Sequence, residues 1–135
     1  MISPKLNNSL NPRTLVLSHM YVGVLNNRYL IDPRVMGIII GTVAFDEYEY
    51  FIRNAKYCLV GLATIETCRI FGFDLIDKIG IDHTRYAPQG RFAEVLSHAF
   101  TEDDMTKLVL GNAFIIPNFK TKESTLRILG KMLND

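Results

Sequence analysis

The sequence predicts an α/β fold, with three parallel strands alternating with helices in a single domain. Three observations lead there. Short apolar runs with strand-like content recur at Thr14–Ser18 (TLVLS), Gly37–Ala44 (GIIIGTVA) and Lys78–Ile81 (KIGI). Between the second and third runs the apolar spacing turns helical. The middle run is apolar apart from two Gly and one Thr, as expected of a strand covered on both faces. Strands alternating with helices pair in parallel through right-handed crossovers.

Taken in order, residues 1–12 are polar, with Asn and Pro, and read as a loose lead-in. Thr14–Ser18 is the first strand and delivers His19 at its end. Met20–Ile31 reads as a short helix or turn over that strand. Asp32-Pro33 supplies an N-cap and a first-turn proline for one helical turn. Gly37–Ala44 is the second strand and ends at Phe45-Asp46. From Glu47 to Phe71 a long helix is expected. Phe51, Ala55, Leu59, Leu62 and Ile65 form its apolar stripe, and Arg53, Lys56, Thr64 and Thr67 its polar face. Gly72 is placed to stop it. Lys78–Ile81 is the third strand and delivers Asp82. Arg91–Phe100 reads as a helix. Thr101-Glu102-Asp103-Asp104 is a capped helix start with acids where the helix dipole favours them. Thr121–Leu133 is a last amphipathic helix.

Composition narrows the function classes. At 135 residues the chain fits one domain. The net charge of +1, with no basic run, gives no footprint for a nucleic acid partner. The longest apolar run, Val35–Phe45, is far short of the ~20 residues a membrane helix needs, so no membrane span is expected. The opening MISPKLNNSL lacks the layout of a signal peptide. Cys58 and Cys68 fall in one expected helix, about 15 Å apart, too far for a disulfide. Both read as core residues of a reducing compartment, which points to the cytoplasm.

Candidate chemistry gathers at the strand ends. In a parallel sheet His19 and Asp82 share the C-terminal edge, with Asp46 between them. An imidazole and a carboxylate there could hold a divalent metal or activate a water. The structural alternative is a hydrogen-bonded histidine at a strand end and an acid capping the next loop. His83 and Arg85, with Tyr86, lie on the loop after Asp82 and could contact a polar or anionic substrate; alternatively the loop is simply solvated. His98, among Leu96, Ala99 and Phe100, reads as a packing residue. The Tyr48–Phe51 cluster (YEYF) reads as a helix start packed on the sheet. No P-loop, G-x-G-x-x-G, C-x-x-C or G-x-S-x-G motif is present.

Three segments together resemble the C-terminal part of the amidohydrolase superfamily, closest to its phosphotriesterase-like and membrane-dipeptidase-like branches. RTLVLSHM (Arg13–Met20) is similar to the late barrel strand that presents a metal-binding His. DKIGIDHT (Asp77–Thr84) is similar to the last strand, which presents an Asp. FTEDDMTKLVLGNA (Phe100–Ala113) is similar to the closing helix. The resemblance implies the C-terminal half of a (β/α)8 barrel. It implies water attack on an ester, lactone or amide at a divalent metal, zinc first. His19 would then be a metal ligand, and Asp82 a metal ligand or the general base. A full barrel takes about 250 residues, so the partner implied is the missing N-terminal half or a second copy of the chain. The competing expectation is a non-catalytic α/β interaction or scaffold module in which His19 and Asp82 are structural.

Overall fold

Asn11 and Pro12 begin a helix instead of ending a lead-in. The structure, a computed structural model, describes residues 11–32, 38–39, 56–73, 90–115 and 120–135. Helix α1 spans Pro12–Leu25; the Asn11 side chain accepts from the Thr14 amide at 2.7 Å, and Pro12 occupies the first turn. Thr14–Ser18, expected as a strand, therefore lies inside α1. The reason is two-sided burial. α1 packs against both of the helices described below as α2 and α5, so Leu15, Val16 and Leu17 are all buried. A helix covered on adjacent faces carries a contiguous apolar run, which periodicity cannot distinguish from a buried strand.

Strand pairing is minimal. Strands β1 (Leu30–Ile31), β2 (Ile38–Ile39) and β3 (Lys56–Tyr57) have two residues each, in the order β1-β3-β2. β3 runs parallel to β1, pairing Ile31 with Tyr57, and antiparallel to β2, pairing Ile38 with Tyr57. The expected α/β fold of three parallel strands is thus corrected to a helical one, and the half (β/α)8 barrel, or TIM barrel, falls with it. A barrel strand needs parallel neighbours on both sides, and β3 has one of each sense. Of the expected second strand, Ile38–Ile39 is seen; the rest of it and Lys78–Ile81 lie outside the described residues.

The centre of the core is helix α2, Leu59–Phe71. Cys58 caps it, its Sγ accepting from the Gly61 amide at 3.4 Å, and Asn112 Oδ1 accepts from the Leu59 amide at 2.8 Å. The helix starts at Leu59, not near Glu47, because Lys56 and Tyr57 pair as β3. Gly72 closes it in the left-handed region at φ 77°, where a residue without Cβ is favoured. Leu59 through Cys68 are buried on every face, so the expected polar face at Thr64 and Thr67 is corrected as well. Their hydroxyls donate to the carbonyls of Val60 and Ala63 at 2.8 and 2.7 Å, which satisfies them without water. Cys58 and Cys68 are buried thiols, with no disulfide between them.

The other helices surround α2. Helix α3, Gly90–Leu96, packs Val95 and Leu96 onto it and stops four residues short of the expected Phe100. Helix α4, Glu102–Gly111, starts where its sequence signals place it, with a reciprocal capping box: Thr101 Oγ1 accepts from the Asp104 amide at 3.1 Å, and Asp104 Oδ2 from the Thr101 amide at 3.2 Å. A 3-10 turn, Asn112–Phe114, follows. Helix α5, Thr121–Leu133, matches its expected bounds and lies along α1. One cation ties three helices. Arg13 of α1 donates from Nε to Asp104 Oδ1 at 3.0 Å and from Nη2 to the Met132 carbonyl of α5 at 2.9 Å. The acid that completes the α4 cap is therefore also the partner of a charge on α1.

Candidate functional site

Of the four expected site residues, only His19 is among those described; Asp82, His83 and Arg85, with Asp46 and Tyr86, lie outside them. His19 sits on α1, beside a cleft of about 600 Å³ also lined by Asn26, Asn27, Arg28, Tyr29 and Arg69. Behind the cleft stands Glu66 of α2, fully buried. Its carboxylate receives two bonds from Arg69, Nε to Oε1 at 2.6 Å and Nη2 to Oε2 at 3.0 Å. The Tyr29 hydroxyl donates to Oε2 at 2.6 Å. Arg69 Nη2 also lies 3.3 Å from His19 Nδ1. A guanidinium can only donate, so Nδ1 is the acceptor and the ring proton belongs on Nε2.

The electrostatics follow from that arrangement. Burial pushes the Tyr29 hydroxyl far above the ordinary phenol range, and the adjacent Glu66 charge pushes it further. Burial also holds His19 below the usual histidine value; Glu66 opposes this and Arg69 reinforces it. His19 is accordingly neutral in the folded protein at neutral pH.

This geometry does not suit a metal. His19 turns one ring nitrogen to a guanidinium, and Arg28 and Arg69 place two cations on the cleft wall. Among the described residues no three His, Cys, Asp or Glu gather into a group that could hold a metal ion. The zinc expected at His19 gains no ligand set from the described residues, and Asp82, expected beside it, lies outside them. Nor is the cleft built for anions. It lies at the C-terminal ends of α1 and α2, where helix carbonyls favour cations, and Arg28 and Arg69 answer that field. The Glu66 network is a polar clamp that joins α2 to the turn after α1. The signal for it was present in the sequence as Glu66 and Arg69 three residues apart on a helix, but the sequence does not show that this face is buried.

His98 packs as a surface residue against two aromatic rings, its ring centroid 4.6 Å from Phe73 and 5.9 Å from Phe71.

A second cleft is of another kind. Between α4 and α5 lies a groove of about 470 Å³, with Leu110, Gly111, Phe114, Ile128 and Met132 as its apolar lining. Phe114 is 72% exposed and Leu110 56%, the two most exposed large apolar residues among those described. Gly111 lets the helices close at the groove's base: a Cβ there would meet Leu59 Cδ2 at 2.8 Å and Ile128 Cγ2 at 3.1 Å. The rim is cationic. Lys107, Arg127 and Lys131 line it, against Asp135 as the single lining acid. Lys107 Nζ bridges Asp103 at 3.2 Å and Asp135 at 3.1 Å. These contacts raise the Lys107 pKa, with the Asp135 hydrogen bond the largest cause. Arg127 and Lys131 have no ion-pair partner among the described residues. Sequence reasoning missed this site. Its signal was Leu110 and Phe114, four residues apart at a helix end, beyond what the α4 core requires.

Comparison with family models, with curated proteins and with solved structures finds no match to this chain. No described helix is long and apolar enough to cross a membrane.

Proposed function

We propose that this chain is a non-catalytic helical interaction module, and that the groove between α4 and α5 is its docking surface for another polypeptide. The observation that carries the reading is the exposure of Phe114 and Leu110 over an apolar groove. Fully burying a side chain of this kind stabilises by about 1.5–3 kcal/mol. The exposed shares, 72% and 56%, leave roughly 2–4 kcal/mol to be gained when a partner covers both. Scattered apolar residues need no explanation, but two on one groove with a polar rim match the anatomy of an interface.

A random peptide library selected on the purified protein tests this. Selected peptides are expected to bind Phe114→Ala about tenfold more weakly, which corresponds to losing ~1–2 kcal/mol of burial. The substitution should leave the melting temperature unchanged, because the ring is solvent-exposed in the free protein. Selected binders that hold a Phe114→Ala/Leu110→Ala variant with undiminished affinity would refute the assignment.

A further inference from the structure

We infer that the occupant of the groove is an amphipathic helix of two to three turns, with acidic residues flanking its apolar stripe. The inference rests on the docking reading above and names the partner's chemistry. Three observations carry it: the groove's length, the state of its backbone groups and the charge of its rim.

Length comes first. The α5 side of the groove is lined from Ser124 to Asp135. From Ser124 to Leu133, where α5 ends, the helix advances about 14 Å, two and a half turns. Ser124, Ile128 and Met132 recur every fourth residue along it, so the floor is a ridge-and-groove surface of helical period. A partner with apolar anchors at i, i+4 and i+7 matches that spacing.

Backbone chemistry then separates a helix from a strand. An extended peptide gains affinity from main-chain hydrogen bonds to a free edge. Here both walls are helices, which offer no extended strand edge for a peptide to pair with. A docked strand would lose water from its own backbone groups and find no partners. A docked helix brings its backbone already paired.

Charge selects the sign. Arg127 and Lys131 are exposed, four residues apart on α5, and each lacks an ion-pair partner among the described residues. Side chains four apart on a helix stand about 5–6 Å from one another, so two acids at the same spacing on the partner face both cations. The same rim disfavours a second copy of the chain. In a two-fold contact each patch meets itself, which sets Arg127 and Lys131 against their own equivalents.

The test uses three synthetic peptides in fluorescence anisotropy with the full chain. One has Leu and Phe at the i, i+4, i+7 positions and Glu on the flanks. The second carries Lys in place of each Glu. The third keeps the Glu residues and scrambles the apolar order. The Glu peptide is expected to bind about tenfold or more tightly than the Lys peptide at low salt, with the gap closing as salt rises. The Arg127→Glu/Lys131→Glu variant alters exposed positions only, and circular dichroism checks that it folds. It is expected to reverse the preference.

Equal binding of the Glu and Lys peptides, both lost in Phe114→Ala, would overturn the acidic partner and leave the docking surface standing. Binding of the scrambled peptide as tight as the ordered one would overturn the helical occupant. If no peptide binds and sedimentation shows a dimer that Phe114→Ala dissociates, the occupant is a second copy and the inference fails. If nothing binds and the chain is monomeric, the inference and the docking reading fail together.

Discussion

Replacing Tyr29 with Phe isolates one hydrogen bond in the buried polar clamp. The ring stays. It packs edge-on against Tyr57 at a centroid separation of 5.6 Å, and Gly23 lies so close to it that any Cβ there would overlap the ring. No cavity opens, and only the hydroxyl is lost. That hydroxyl donates at 2.6 Å to a carboxylate with 0% exposure. A bond to a charged acceptor contributes about 1.5–3 kcal/mol net. Glu66 keeps both of its bonds to Arg69, so its charge is not orphaned, and the lower part of the range applies. The expected loss is about 2 kcal/mol, a factor of roughly 30 in the folding equilibrium. For a domain of this size it lowers the melting temperature by about 6–10 °C. Urea unfolding followed by circular dichroism reads it as a lower midpoint at unchanged slope. A cycle with Glu66→Gln should show coupling of about 1 kcal/mol or more between the two positions. A Tyr29→Phe midpoint within about 0.5 kcal/mol of the parent would refute the argument, since it would mean that water or another donor serves Glu66 equally well.

Gly23→Ala should destabilise by about 1–3 kcal/mol, because its Cβ would meet a Tyr29 ring anchored at Glu66 and Tyr57; an unchanged urea midpoint would show that the ring is free to move aside. Thr101→Ala removes one half of the capping box and should cost about 1 kcal/mol by thermal melting, with the Asp104–Arg13 pair still in place. His19 adds a pH dependence. Its folded pKa lies below the unfolded value of about 6.5, so between the two the unfolded chain binds more protons. Stability from this group is present above pH ~6.5 and is lost as pH falls toward the folded pKa. His19→Gln should flatten that part of the profile in urea midpoints measured from about pH 7.5 to 5, and superimposable profiles would count against a neutral, partly buried His19.

The local punctuation of this chain is written in the sequence. Thr101 with Asp104, the αL stop at Gly72 and the bounds of α5 were all legible, because a cap is set by a few consecutive residues and needs no distant partner. The tertiary structure alone decided which faces are buried. Thr14–Ser18 reads as a strand until α2 and α5 cover α1 from two sides. Thr64 and Thr67 read as part of a polar face until neighbouring elements enclose α2 all round. The site divides in the same way. His19 was legible as a residue with chemistry, but its role rests on Arg69, fifty positions later, and on a carboxylate whose burial no local pattern encodes. The groove was hidden for the converse reason. Leu110 and Phe114 exceed what the α4 core requires, but only the tertiary arrangement shows that they stay exposed beside α5. Hydrophobic burial depends on area removed from water by the whole assembly of helices, and that area is a property of the fold, not of any segment.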